Sequence, residues 1–162
     1  MSTITLKKIA SILGLSTATV SKALKDYPDI SEKTKTKVKA LASSLNYTPN
    51  SFAQSLRNKE SKIIGLIIPT IVHHFFSNII NGVIDAASDQ GYLVITLQSN
   101  ESYEDEKNKI NLLIEKNVDG ILLSLSDKTV NYKHINQLID DGVPIVLYDK
   151  ISKSVSCSKV II

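Results

Sequence analysis

The sequence predicts two modules, an all-α headpiece of short helices followed by an α/β lobe built on a parallel sheet. Three observations carry this expectation. Apolar residues recur at helical spacing in the first third, whereas from Ile63 onward continuous apolar runs alternate with helical patterns. Charge divides at the same place: residues 1–62 carry eleven Lys and Arg against four Asp and Glu, and residues 63–162 carry eight against twelve. Between the two patterns, Pro49 rules out a continuous helix and biases Thr48 toward extended backbone.

In the headpiece, Leu6, Ile9, Ala10 and Leu13 follow the i, i+3, i+4, i+7 rule and give a first helix one apolar face. Gly14 breaks it. Ser16 caps a second helix with Val20, Ala23 and Leu24 inward, and Tyr27-Pro28-Asp29 reads as a turn. Ser31 caps a third helix, whose inner face is Val38, Leu41, Ala42 and Leu45. Asn50 or Ser51 begins one brief further helix through Phe52, Ala53, Leu56 and Arg57. Isolated helices become even marginal in water only at ~12–15 residues, so this piece is expected to need a supporting partner. The expected boundaries are a headpiece at 1–46, a hinge at 47–61 and the α/β lobe at 62–162.

In the lobe, Ile63–Ile68, Tyr92–Leu97, Gly120–Leu125 and Pro144–Tyr148 are apolar and rich in β-branched residues, which suits strands covered on both faces. Helical patterns separate them, over Phe75–Gln90, Tyr103–Asn117 and Tyr132–Asp141, with a fifth strand expected at Ser158–Ile162. Gly91 and Gly142 follow two of these helices, as C-terminal caps do.

Composition narrows the function classes. An apolar fraction of 43% supports a core, and no run of eighteen apolar residues is available to span a membrane, so no membrane partner is expected. The start, MSTITLKK, lacks the apolar stretch and cleavage site of a secretory signal. The single cysteine, Cys157, fits a reducing cytoplasm and has no base marked out to make it a nucleophile. His73-His74 does not read as a metal site, because adjacent side chains rarely converge on one ion and no further ligand cluster accompanies them. Glu101, Glu104, Asp105 and Glu106 read as the acidic start of a solvated helix. Neither a dinucleotide nor a P-loop glycine motif occurs, so no cofactor and no enzymatic activity are expected.

A basic front module points to a polyanion. The stretch GLSTATVSKALKDYPDIS, Gly14 to Ser31, narrows this further. Two helices joined through a glycine turn have the spacing of a helix-turn-helix, whose second helix enters the major groove. Small Ser and Thr side chains there bond phosphates and bases without holding the helix away, and Lys22 reaches a guanine edge or a phosphate.

The stretch TLKKIASILGLSTATVSKALKDYPDISEKTKTKVKALASSLNYTPNSFAQSLR resembles the headpiece and hinge of the lactose/galactose repressor family of bacterial transcription regulators. IIGLIIPTI, HHFFSNIINGVIDAA, GYLVITLQSN and NVDGILLSLS resemble the start of that family's periplasmic-binding-protein-like core. The resemblance implies base contacts from Thr17, Ala18 and Lys22, with Leu56 wedged into the minor groove. It implies phosphate contacts from Ser16, Thr19, Ser21, Ser31, Thr34, Tyr47 and Asn50, two of which straddle a helix N-terminus. It further implies a homodimer on a roughly palindromic double-stranded DNA operator, acting by default as a repressor. A small effector, a sugar or nucleobase, is implied in a cleft between two lobes, with Phe75, Phe76, Ser124 and Asp149 facing it at strand C-terminal ends. Only the beginning of one lobe is recognisable, so the cleft is expected to be incomplete in this chain. A sugar-binding α/β module without DNA regulation is the alternative. The chain departs from the family at Lys22, where many members carry arginine, at Ala18, which offers only a methyl, and at His73-His74, where an Asn-Pro-like pair is common.

Overall fold

The computed structural model describes residues 4–48, 60–72 and 74–161. The chain forms two compact units, Met1–Asn50 and Ser51–Ile162. The short hinge helix expected through Leu56 lies outside the described residues, as does His73.

In the first unit, α1 (Leu6–Leu13), α2 (Thr17–Leu24) and α3 (Glu32–Ser44) each start at a hydroxyl cap, Thr5, Ser16 and Ser31. Gly14 takes the left-handed conformation at φ +63°, and its N–H bonds the Ala10 carbonyl, which ends α1 and turns the chain into α2. The buried centre is Ile9, Ala10, Val20, Ala23, Val38 and Ala42, ringed by half-buried leucines from all three helices. Three of those six are alanines, so the helices sit close and the core is small.

In the second unit, β1 (Ile63–Ile68), β2 (Leu93–Gln98), β3 (Gly120–Leu123), β4 (Ile145–Tyr148) and β5 (Ser158–Val160) form a wholly parallel sheet in the order β2-β1-β3-β4-β5. The connecting helices are α4 (His74–Asp89), α5 (Tyr103–Glu115) and α6 (Lys133–Asp140). Successive strand residues face opposite sides. Ile67 of β1 therefore packs with Ile110 and Leu113 of α5 and Ile135 of α6. Its neighbours Leu66 and Ile68 pack on the other side with Phe76 of α4 and Tyr148 of β4. Tyr148 also donates its hydroxyl proton to the Ile67 carbonyl at 3.0 Å, and burial raises its pKa above the ordinary tyrosine value.

Three differences from expectation have plain physical causes. The second strand was expected to be covered on both faces, yet no residue of β2 is fully buried and Leu93 is 63% exposed, because β2 is an edge strand. The third strand ends two residues early, at Leu123, where the chain turns off the ladder after one last bond from the Ser124 N–H to the Ile67 carbonyl, and the Leu125 N–H bonds Lys150 beyond β4 instead. The acidic run does not simply decorate a solvated helix. Glu106 is fully buried, accepting the Ser126 N–H at 2.7 Å, with its other oxygen 3.4 Å from His134 Nε2. It precedes Ile110 and Leu113 by four and seven residues, so it falls on the face of α5 that meets the sheet.

The approach to β1 is fastened from a distance. The Asp119 carboxylate accepts the Ser61 N–H at 2.7 Å, the Ser61 hydroxyl at 2.9 Å and the Lys62 N–H at 2.9 Å. Burial alone would raise the Asp119 pKa, but these donors outweigh it and hold the carboxyl below its ordinary range.

Gly65 permits the close approach of α5 to β1. A Cβ there would run into the buried Leu113 side chain, whose Cγ would lie 3.1 Å away. Gly65→Ala is expected to cost about 1–3 kcal/mol of stability through overpacking. Paired with Leu113→Ala, it should cost less than the sum of the two single changes, read from denaturant midpoints.

Candidate nucleic-acid interface

The outward side of α2 follows from its inward side. Burying Val20 and Ala23 leaves Thr17, Ala18 and Lys22 exposed and Ser21 half-buried. Lys22 lies four residues after Ala18, so the two are neighbours on that surface.

The N-termini of α2 and α3 are built by the same S-x-x-T device. The Ser16 Oγ accepts the Thr19 N–H at 3.0 Å and lies 2.9 Å from the Thr19 hydroxyl. The Ser31 Oγ accepts the Thr34 N–H at 3.3 Å and lies 2.9 Å from the Thr34 hydroxyl. In each pair one hydroxyl proton is shared between the two oxygens, leaving the other free to donate outward. Each site thus joins a helix N-terminus to a free hydroxyl donor, which suits an anion.

The electrostatics favour the same partner. Asp26 and Lys39 form an ion pair at 2.5 Å, Glu32 and Lys35 one at 2.7 Å, and Lys22 is bonded to Asp29. That bond raises the Lys22 pKa and lowers that of Asp29, while the bond from Lys39 lowers that of Asp26. Lys7, Lys8, Lys25, Lys33 and Lys37 form no ion pair among the described residues, so the basic excess of this unit is free to meet an outside charge. Tyr47 is half-buried against the three-helix core, and desolvation raises its pKa. Asn50 and Leu56 lie outside the described residues.

In the second unit, the structure brings Ser124 and Asp149 together. Ser124 is buried and donates its hydroxyl to Asp149 Oδ2 at 3.4 Å, and Asp149, just past β4, is left-handed at φ +56°. Phe76 is buried in the core, whereas Phe75 is 39% exposed, with the two rings edge to face at 5.2 Å. Two features escaped the sequence reading. Asp29, expected only as a turn residue, is the partner of Lys22 seven positions away. Lys150 bridges Glu101 at 2.5 Å and Asp127 at 2.8 Å, fastening three loops beyond the strand ends. Nothing in local periodicity signals either, since both depend on how loops are folded back.

No helix among the described residues is long and apolar enough to cross a membrane. Residues 5–50 match the family of bacterial regulatory proteins of the lacI type, and residues 64–161 match a periplasmic binding protein domain. The chain is 34% identical over 157 residues to the HTH-type transcriptional repressor PurR of Vibrio campbellii, covering 97% of this chain and 47% of that protein. It is 34% identical over 146 residues to the ribose operon repressor of Bacillus subtilis, covering 90% of this chain and 43% of that protein. The crystal structure of the lac repressor dimer bound to operator and an anti-inducer superimposes with a TM-score of 0.81 at 26% identity, covering 99% of this chain and 48% of that chain. This chain therefore spans about half the length of the curated relatives it matches, and those relatives are transcriptional repressors, not enzymes. Taken with the geometry of its two units, these matches show that the chain carries a headpiece of the bacterial lacI regulatory family over residues 5–50 and belongs, over residues 64–161, to the periplasmic binding protein domain family.

Proposed function

We propose that the chain is a sequence-specific DNA-binding regulator of the cytoplasm, repressing transcription by occupying an operator. The observation that carries this reading is the outward face of α2. It is small and polar, its unit holds Ser–Thr pairs at the N-termini of α2 and α3, and that unit's acids are answered by lysines. Thr17, Ala18 and Lys22 read bases in the major groove, and Leu56 enters the minor groove. Ser16, Thr19, Ser21, Ser31, Thr34, Tyr47 and Asn50 hold phosphates. The regulator works as a homodimer on a two-fold operator. The exposed apolar residues Ile71, Val72, Ile84 and Leu93, on or beside α4 and the β2 edge, support such pairing. A sugar or nucleobase effector sits at the strand C-termini, where Ser124 and Asp149 supply polar groups and Phe75, backed by Phe76, supplies a ring. That polar cluster also favours a second reading, a small-ligand module that does not regulate DNA, which a duplex-binding assay separates from the first.

Selection of the full chain on a pool of randomised duplexes at low salt tests the proposal. A two-fold symmetric sequence is expected to emerge, and an unenriched pool at micromolar protein would overturn it. Lys22→Ala should change the selected sequence and cost about 1–3 kcal/mol on the original one. Thr34→Ala should weaken every sequence alike, because a phosphate contact carries no base information. Equal effects of the two changes on all sequences would show the roles to be misassigned.

A further inference from the structure

We infer that Lys22 and Asp29 act together as one reader of a single G·C pair, with the Lys22 ammonium donating to guanine and the Asp29 carboxylate accepting from the cytosine amino group. The inference rests on the DNA-binding reading and goes beyond it in assigning Asp29 a role and the pair a target.

The first observation is where the pair sits. The two side chains are bonded to each other yet remain 47% and 51% exposed, on the surface that also carries Ala18. An ion pair this open to solvent contributes little to folding, so stability gives no reason for its placement. A carboxylate on a surface that meets phosphates is unfavourable unless something engages its charge. Asp26 and Glu32 are engaged by Lys39 and Lys35, both residues of α3. Asp29 alone is tied to a residue of the reading helix.

The second argument concerns what lysine lacks. An ammonium is a point charge on a flexible stem, without the rigid fork with which arginine grips guanine. Bonding to Asp29 restricts that stem and uses one of the three N–H donors. Two donors remain, and guanine presents two acceptors, N7 and O6, in the major groove. On Asp29, Oδ2 accepts from Lys22, and a carboxylate with about four lone-pair sites has capacity to accept a further donor.

The third argument is the order of groups. Across the major groove a G·C pair shows acceptor, acceptor, donor, the last being the cytosine N4 amino group. Read in line, Lys22 and Asp29 offer donor, donor, acceptor. An A·T pair sets the adenine amino donor against a lysine donor, and a reversed pair sets the cytosine amino group against the ammonium. Each wrong pair leaves like groups facing each other. Tied in this way, the two residues do what one arginine does elsewhere, and they read the second base as well.

The test is selection and competition binding with the full chain. The unsubstituted protein should select G·C at one position of each half-site, and Lys22→Ala should erase the preference there. Asp29→Ala should lower the preference for G·C over A·T at that same position by about 10-fold. Its affinity for random duplex should hold or rise, because a negative charge has been removed. Asp29→Asn, which keeps an acceptor, should fall between. The double substitution should relax the position no further than Lys22→Ala alone. Inosine in place of the guanine keeps the whole major-groove edge and should bind as well as guanine. A merely structural role for Asp29 would weaken all sequences in proportion and leave the preference intact, and that result would overturn the inference while leaving DNA binding standing. Failure of the unsubstituted chain to bind any duplex would overturn the DNA-binding reading and this inference with it.

Discussion

Raising salt from 50 to 200 mM is expected to weaken operator binding about 10³- to 10⁵-fold, the loss found when six to ten phosphates are neutralised. The charge inventory of the headpiece sets this figure. Three lysines are matched by Asp29, Glu32 and Asp26, and a matched lysine has no counterion-displacing charge to spare. The five unmatched ones double in the proposed dimer, which brings the available cations into the required range. The prediction is sharper residue by residue. Lys33 is exposed in the first turn of α3, between Ser31 and Thr34, beside the proposed phosphate cradle. Lys33→Ala should therefore reduce the slope of log affinity against log salt by about 1 per headpiece. Lys39→Ala, which leaves Asp26 unpaired, should change the slope little unless Asp26 itself then repels DNA, in which case affinity falls at every salt. A flat salt response of the unsubstituted protein would remove the polyanion from the account altogether.

The headpiece was largely legible in the sequence because its signals are local. The hydroxyl caps, the glycine stop and the 3.6-residue apolar rhythm each act within one helical turn, and the observed helices begin where Ser16 and Ser31 placed them. The sheet was legible for a related reason: a parallel strand covered by helices must be apolar throughout, and β1, β3 and β4 are. What was missed depends on distant pairing. A carboxylate reads as solvated until the helix face it occupies is known, so Glu106 passed as surface. Asp119 meets Ser61 from 58 residues away, and Asp29 meets Lys22 only because a turn folds it back. The edge position of β2 is set by strand order, which no stretch of β2 encodes. At the proposed effector site, Phe75 and Phe76 are adjacent and equally apolar in sequence, and only packing separates the exposed ring from the buried one.

Ile9→Ala is expected to unfold the headpiece and abolish duplex binding, although Ile9 is fully buried and makes none of the proposed DNA contacts. The core of this unit has six buried residues, and Ala10, Ala23 and Ala42 contribute little volume. Ile9, Val20 and Val38, all fully buried, carry most of it. Cutting a buried isoleucine to alanine costs about 2–5 kcal/mol. A core in a unit of this size rarely supplies more than about 3–5 kcal/mol in total, so the loss consumes nearly all of it. The same cut in the second unit has a different consequence. Leu147→Ala removes a comparable side chain from a cluster of ten buried residues fed by three strands and two helices, and the sheet should persist with a lower Tm. Amide spectra resolve the two cases: Ile9→Ala should collapse the dispersion of residues 5–48 while the strand signals stay, and Leu147→Ala should keep both sets. Retention of headpiece signals and of operator affinity in Ile9→Ala would mean that contacts beyond the three helices hold the reading surface together, and the small-core account of this unit would have to be abandoned.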